Sequence, residues 1–159
     1  MDVAGKKIVI FGGTSGIGLA AAEQLSALGA KVVAVSRNPD RAGTLPAGIT
    51  VEQCDVLDES ALQTLLARLA PFDALVSAAT GGSRAIGPFM EMDLEGFRAS
   101  FAKMWGYANV VRYGVPHLSE TGNVVLVSGA PARRPRPGQV AIGAVGGAVE
   151  NFARTVARE

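Results

Sequence analysis

The sequence has few of the residues on which many functional sites depend. Its 159 residues include one cysteine and one histidine. The single cysteine, Cys54, cannot form an internal disulfide, and one cysteine with one histidine provides no metal-ligating cluster. We therefore expect no metal site and a small buried residue at Cys54. Without a signal-peptide pattern, the chain is expected in a reducing cytoplasm.

Excess charge and long apolar runs are also missing. The formal net charge is +1, and 18% of the residues are charged. The one basic cluster, Arg133, Arg134 and Arg136, is interrupted by prolines and has no interleaved aromatic residues, so we expect no nucleic-acid partner. No apolar run approaches the ~20 residues that span a bilayer, so we expect no membrane partner. The hydrophobic 48% of the chain is assigned to a core.

What the sequence does contain is a regular alternation of short apolar runs and helical segments. A helix is predicted over 16–28, before Gly29, and another over 58–69, with Asp58 as its N-cap. Alternating strands and helices predict one α/β domain over 1–159, a doubly wound parallel sheet of the Rossmann type. The runs predicted as strands covered on both faces are 7–12, 31–36, 49–54, 73–78 and 123–128.

The longest predicted helix spans residues 93–118, and a further helix is expected to begin near Gln139. The helix over 93–118 has a wide apolar stripe, which predicts packing against the sheet and against a twin subunit, hence a homo-oligomer. Tyr107 and Tyr113 are interpreted as packing residues with solvent-exposed hydroxyls. The predicted stripe consists of Phe97, Phe101, Met104, Trp105, Ala108, Val111 and Val115.

A glycine-rich turn follows the first predicted strand and opens the first predicted helix. Gly12 allows a tight turn, Gly16 lets backbone approach a pyrophosphate, and Gly18 lets the helix pack on the strand. Free N–H groups at the helix start would receive the anion, so this context predicts a dinucleotide site. The second strand ends in Ser36 and Arg37 without an adjacent carboxylate. The arginine fork suits a 2′-phosphate, which favours NADP over NAD.

These residues resemble the short-chain dehydrogenase/reductase family, over nearly the whole chain. IFGGTSGIGLA is similar to the family's cofactor turn, and Cys54-Asp55-Val56 is similar to its adenine contact. The segment 75–80 stands where the family has an Asn-Asn-Ala-Gly signature. The turn, the second strand and the resemblance together predict these dinucleotide contacts: Gly12, Thr14, Ser15, Gly16, Ile17, Gly18, Ser36, Arg37, Asp55, Val56, Ala78 and Ala79.

The resemblance also locates the catalytic positions, where the family has an Asn, a Ser and a Tyr-x-x-x-Lys pair. Here Lys103 stands at the Asn position, Gly129 at the Ser position, and Ile142 and Gly146 replace the Tyr and Lys. Two catalytic candidates remain. Lys103 would act as an acid if burial lowered its pKa, and otherwise is a solvated helix residue. Ser128 would polarise a carbonyl, or else bond to backbone.

Three functional hypotheses follow. The first is an atypical oxidoreductase that uses NADP(H) to reduce the carbonyl of a small molecule. The second is a non-catalytic NADP-binding protein that acts as a sensor or scaffold. The third is a fragment of a longer reductase, or a unit completed by another chain. The resembled family continues beyond the fifth strand and its helix, and an uncovered fifth strand would expose a sheet edge. Arginines in the loop 130–139 are candidates for contacting an anionic substrate.

Overall fold

The computed structural model describes residues 3–80 and 83–159. The described chain forms a five-stranded parallel sheet with helices on both faces, which confirms the doubly wound α/β prediction. The strands are β1 (Lys7–Phe11), β2 (Lys31–Ser36), β3 (Ile49–Gln53), β4 (Phe72–Ser77) and β5 (Leu118–Leu126). Their order in the sheet is β3-β2-β1-β4-β5, so β2 and β3 lie on one side of β1 and β4 and β5 lie on the other.

The main helices are α1 (Gly16–Ala27), α2 (Glu59–Leu69), α3 (Leu94–Ser100), α4 (Ala102–Gly114) and α5 (Val140–Val156). Asp58 caps α2 as predicted, because its Oδ1 accepts the Ala61 N–H at 3.0 Å. Over residues 3–80 and 83–159, no helix combines the length and apolarity that crossing a membrane requires.

The inner strands β1 and β2 are buried on both faces, as their continuous apolar runs predict, whereas the edge strands β3 and β5 are partly exposed, contrary to the prediction for their runs. Side chains alternate along β1, so Val9 and Phe11 enter one core while Ile8 and Ile10 enter the other. The first core includes residues of α2 and α4, and the second includes Ala22 of α1. Burial of each such side chain contributes about 1.5–3 kcal/mol before the entropic cost of ordering.

The predicted helix over 93–118 is wrong in two respects. It divides into α3 and α4, followed by a 3₁₀ turn over Val115–His117, and the predicted apolar stripe only partly matches the buried face. Trp105 is 68% exposed, whereas Gly106, Tyr107, Val110 and Gly114 are buried. A Cβ on Gly106 would lie 2.5 Å from the side chain of Val56, in the segment after β3, and one on Gly114 would lie 2.3 Å from Leu75 of β4, so α4 packs through glycines that a count of apolar residues ignores.

The fifth strand begins earlier than predicted and ends before Ser128. Phe72 pairs with Leu118 and Ala74 with Asn123, so an irregularity in the register lengthens β5 toward its start. The Tyr107 hydroxyl donates to the Val127 carbonyl at 3.0 Å just beyond the strand. This bond contradicts the predicted solvent-exposed hydroxyl, because Tyr107 is fully buried.

Candidate active site

A cleft of about 760 Å³ opens at the carboxyl ends of β1, β2, β4 and β5. It lies where the strand order reverses beside β1, because the connections from β1 and β4 run to opposite faces and leave a crevice. The cleft brings together most of the residues predicted from the sequence. Those that line it are Gly12, Thr14, Ser15, Gly16, Ile17, Gly18, Ser36, Arg37, Val56, Ala78, Ala79, Lys103 and Ser128.

The glycine turn forms the floor of this cleft. Gly12 has φ +78°, a left-handed conformation that favours glycine, and its N–H donates to the Val35 carbonyl at 2.8 Å. A Cβ on Gly12 would lie 2.7 Å from the Ala79 nitrogen, and one on Gly18 would lie 2.1 Å from the Gly12 oxygen. The tight turn is as predicted. The close approach at Gly18, however, is to the turn itself rather than to the strand.

Helix α1 begins in the cleft with an open amino terminus. Its N-cap Ser15 makes no capping bond through its side chain, and its first turn carries no acidic residue. The first N–H groups of a helix have no partner within the helix, and the helix dipole adds partial positive charge there. Together with the glycine turn, this arrangement suits the diphosphate of a dinucleotide. Ile17 beside it is 69% exposed, unusually high for an apolar residue at a cleft.

The end of β2 provides the next part of the cleft wall. The Ser36 hydroxyl accepts the Asn38 N–H at 3.3 Å, and the Arg37 carbonyl accepts from Gln53 Nε2 at 3.1 Å. These bonds fix the backbone that carries the Arg37 side chain. Asp55 is not among the residues that line the cleft, and its Oδ1 accepts the Leu57 N–H at 3.0 Å. Its predicted adenine contact stays a prediction.

Lys103 lies on α4 and faces the cleft. Its Nζ is 5.2 Å from the centroid of the Tyr107 ring, and among the described residues it pairs with no carboxylate. Burial, and then the positive charge of Arg84, lower the pKa of Lys103 below its usual value. The buried Tyr107 phenol has a raised pKa for the same first reason, the loss of hydration. Lys103 thus lies in a poorly hydrated part of the cleft, where the neutral amine is favoured relative to water.

Ser128 lines the cleft, but its hydroxyl bonds to acceptors in α5. Its Oγ lies 3.2 Å from the Gly146 carbonyl oxygen and 3.3 Å from Glu150 Oε1, and both groups are acceptors. Arg133 Nε donates to the other Glu150 oxygen at 2.8 Å and lowers the pKa of Glu150. The structure therefore matches the backbone-bonding interpretation of Ser128. Sequence reasoning missed Glu150, although it lies one helical turn after Gly146.

The wall formed by α5 offers no proton donor. Ile142 and Gly146 line the cleft beside Gly129. A Cβ on Gly146 would lie 2.9 Å from Ala132 Cβ and 3.2 Å from Ser128 Oγ, so neighbouring atoms already crowd the direction of a side chain there. A lysine at this position would require Ala132 to move.

Two arginines complete the cleft. Arg136 comes from the proline-rich loop noted in the sequence, and sequence reasoning missed Arg84. Arg84 follows β4, and the rule that loops at the carboxyl ends of strands border the ligand crevice would have found it. Among the described residues that line the cleft, none is Asp or Glu. Over residues 3–80 and 83–159, no group of His, Cys, Asp and Glu could hold a metal ion.

Several known proteins resemble this chain in sequence or structure. Short-chain dehydrogenase/reductase prx4 of Penicillium rubens is 29% identical over 142 residues, covering 82% of this chain and 43% of that protein. L-xylulose reductase of Mesocricetus auratus is 27% identical over 166 residues, covering 100% of this chain and 67% of that protein. A solved short-chain type dehydrogenase/reductase from Mycobacterium ulcerans has a TM-score of 0.88 at 26% identity, covering 99% of this chain and 63% of that one.

The first curated relatives are longer than this chain, which spans about half of their length. A family model described as short chain dehydrogenase matches residues 6–159. That match includes the glycine turn, the cleft and all five strands. The chain therefore belongs to the short-chain dehydrogenase family of oxidoreductases.

Proposed function

We propose that the protein binds NADP(H) and reduces the carbonyl group of a small molecule. The observation that carries this proposal is the glycine turn leading into the uncapped start of α1, at the bottom of a cleft at the strand-order reversal. A Cβ at Gly12 or Gly18 would fill the space that the turn needs. These features fit a dinucleotide diphosphate.

The residues at the two sides of the turn would hold the rest of the dinucleotide. Arg37, at the end of β2, would contact a 2′-phosphate, and the absence of carboxylates among the described cleft-lining residues favours NADP over NAD. Val56 would pack against the adenine, and Ala78 and Ala79 would leave room for the nicotinamide riboside. When bound, the reduced nicotinamide supplies a hydride to the carbonyl carbon, giving an alcohol once the oxygen is protonated.

Lys103 is the residue that we propose as the proton donor. Among the described residues that line the cleft, the titratable side chains are those of Lys103 and of arginines, which keep their protons. The lowered pKa of Lys103 brings its proton release closer to neutral pH. The ammonium group would give its proton to the carbonyl oxygen. Ser128 is a weaker candidate than the sequence implied, because acceptors in α5 already face its hydroxyl.

The second candidate function is a non-catalytic NADP-binding protein, a sensor or scaffold. It is favoured by the apolar α5 wall, where Ile142 and Gly146 stand at the family's Tyr and Lys positions and Gly129 at its Ser position. General acid catalysis contributes about 10²–10⁴ in rate, so a slow reaction is compatible with the loss of the usual acid.

Calorimetry followed by product analysis tests these proposals. NADPH should bind more tightly than NADH. Arg37→Gln should remove most of that difference, whereas the same change at exposed Arg134, outside the cleft, should leave it intact. Failure of both dinucleotides to bind at millimolar concentration would refute the proposal. If NADPH binds, a ketone panel should yield an alcohol product that Lys103→Met diminishes without weakening NADPH binding, and NADPH binding without any product would favour the non-catalytic alternative.

Further expectations from the sequence also remain proposals. We propose that residues 1–159 act as one dinucleotide-binding domain in the cytoplasm and that α4 and α5 contribute to a homo-oligomer. The exposed Trp105 on α4 is an aromatic side chain of the kind that is enriched at interfaces. Sedimentation of the wild type and of Trp105→Glu would measure the contribution of this face.

A further inference from the structure

Three cations from different elements face the same cleft. Arg84 lies in the loop after β4, Lys103 on α4, and Arg136 in the loop before α5; we call them the cationic cluster. Among the described residues that line the cleft there is no Asp or Glu to balance this charge. The cleft wall therefore attracts anions, although the whole chain is nearly neutral.

The two loops that carry the arginines are joined to each other. The Gly87 N–H donates to the Gly138 carbonyl at 2.9 Å, which connects the loop of Arg84 directly to the loop of Arg136. The first loop is also joined to α3, because the Ala85 N–H donates to Ser100 Oγ at 2.9 Å. These bonds hold the two arginine-bearing loops together at one end of the cleft.

The cationic cluster lacks the carboxylate partners that four arginines of this chain have. Arg68, Arg98, Arg133 and Arg154 all pair with carboxylates. Within the described ranges, no ion pair involves Arg84, Lys103 or Arg136. Burial, and then the like charge of Arg84, lower the pKa of Lys103, as expected for two cations that lie near each other. A bound anion would relieve this repulsion.

We propose that the substrate carries an anionic group, a carboxylate or a phosphate, which Arg84 and Arg136 bind beside its carbonyl. The planar guanidinium fork matches both groups and binds them through paired hydrogen bonds. The cofactor has a different cation for its own 2′-phosphate, because Arg37 follows β2 and lies across β1 from the strands β4 and β5. This inference rests on the proposed function and adds the chemical class of its substrate.

Calorimetry of the intact protein saturated with NADP⁺ tests the inference without turnover. The probes are two matched pairs, acetoacetate with methyl acetoacetate and dihydroxyacetone phosphate with dihydroxyacetone. At least one anionic probe should bind about tenfold or more tightly than its neutral partner. Arg84→Gln and Arg136→Gln should each reduce that preference about tenfold, and added salt should weaken it. Arg134→Gln is the matched control, because Arg134 lies in the same loop as Arg136 but outside the cleft.

The pair that shows the preference identifies the anionic group as a carboxylate or a phosphate. Equal binding within both pairs, or no binding of any probe, would overturn the inference alone, provided that NADP⁺ binds. A preference that survives both substitutions would also overturn it. So would a loss of NADP⁺ affinity in Arg84→Gln and Arg136→Gln, because the arginines would then serve the cofactor. Absence of any dinucleotide binding would refute the proposed function and this inference together.

Discussion

Lys103 holds a positive charge where hydration is poor and a second cation is near. Its neighbours are the Tyr107 ring and Arg84, and burial is the larger cause of its lowered pKa. Folding therefore favours the neutral amine relative to the unfolded chain, whose lysine has a pKa of about 10.5. An arginine could not respond in this way, because it stays charged across the working pH range. The residue type thus decides what this position can do.

This environment predicts how stability depends on pH. Below the lowered pKa of Lys103 the charged form opposes folding, and the penalty disappears as pH rises through that pKa toward the unfolded value. The free energy of unfolding of the wild type should therefore increase relative to that of Lys103→Met as the pH rises from 7 to 10.5. Urea unfolding at a series of pH values measures this, with exposed Lys31→Met as the control for a lost lysine. A difference between wild type and Lys103→Met that stays constant with pH would contradict it.

At the scale of elements, α4 is fixed to the sheet by contacts that hydrophobic periodicity does not reveal. The helix approaches through Gly106 and Gly114, and a Cβ on Gly114 would lie 2.3 Å from the Leu75 side chain. Tyr107 then places its hydroxyl on the Val127 carbonyl, immediately before Ser128. One buried phenol thus links α4 directly to the cleft wall.

Matched substitutions on α4 test that link. Tyr107→Phe should cost about 1–3 kcal/mol of unfolding free energy, because the Val127 carbonyl loses its donor in a largely buried place. Tyr113→Phe removes a hydroxyl that bonds to the exposed Glu59, and it should cost clearly less than Tyr107→Phe because water replaces the phenol. Chemical denaturation measures both. Equal losses of unfolding free energy in the two variants would show that the buried bond stabilises the fold no more than the exposed one.

Helix α5 offers a second matched pair in adjacent glycines. A Cβ on Gly147 meets nothing within 4 Å, so Gly147→Ala should stabilise the helix by about 1 kcal/mol through helix propensity. Gly146→Ala should show no such gain, because its Cβ would lie 2.9 Å from Ala132 Cβ. The midpoints of urea unfolding of the wild type and of both variants measure this difference in stability. An equal gain at both positions would mean that Ala132 yields freely and that the cleft wall has room for a side chain.

At the scale of the whole molecule, the amino and carboxyl ends of the strands have different roles. The carboxyl ends of the strands surround the cleft, while Asp73 at the amino end of β4 joins neighbouring strands. Its carboxylate accepts the Lys7 N–H at 3.0 Å, Lys6 Nζ at 3.0 Å and the Ser119 hydroxyl at 3.2 Å. These bonds, the Lys7 backbone first, lower the pKa of Asp73. The structural carboxylate Asp73 thus lies at the opposite end of the sheet from the cleft.

This separation predicts an acid-dependent loss of stability that leaves binding untouched. Because the pKa of Asp73 is lowered in the fold, its contribution is complete above the unfolded value and disappears as pH falls through the folded one. Asp73→Asn should cost about 1 kcal/mol at pH 7, and that difference should shrink below pH about 4. Unfolding midpoints from pH 2 to 7 measure it, with Asp40→Asn as the charge control. NADPH affinity should not change, and a weakened affinity would contradict the separation.

The sequence by itself determined the parallel α/β fold and the glycine turn. Both are encoded locally: apolar runs report strands buried on two faces, and Gly12 and Gly18 permit a turn that other residues could not form. Only the tertiary structure decided that Ser128 faces Glu150 and that the Gly87 N–H joins the loop of Arg84 to the loop of Arg136. Those relations join residues far apart in the chain, and their geometry comes from the packing of whole elements, on which local sequence patterns carry no information.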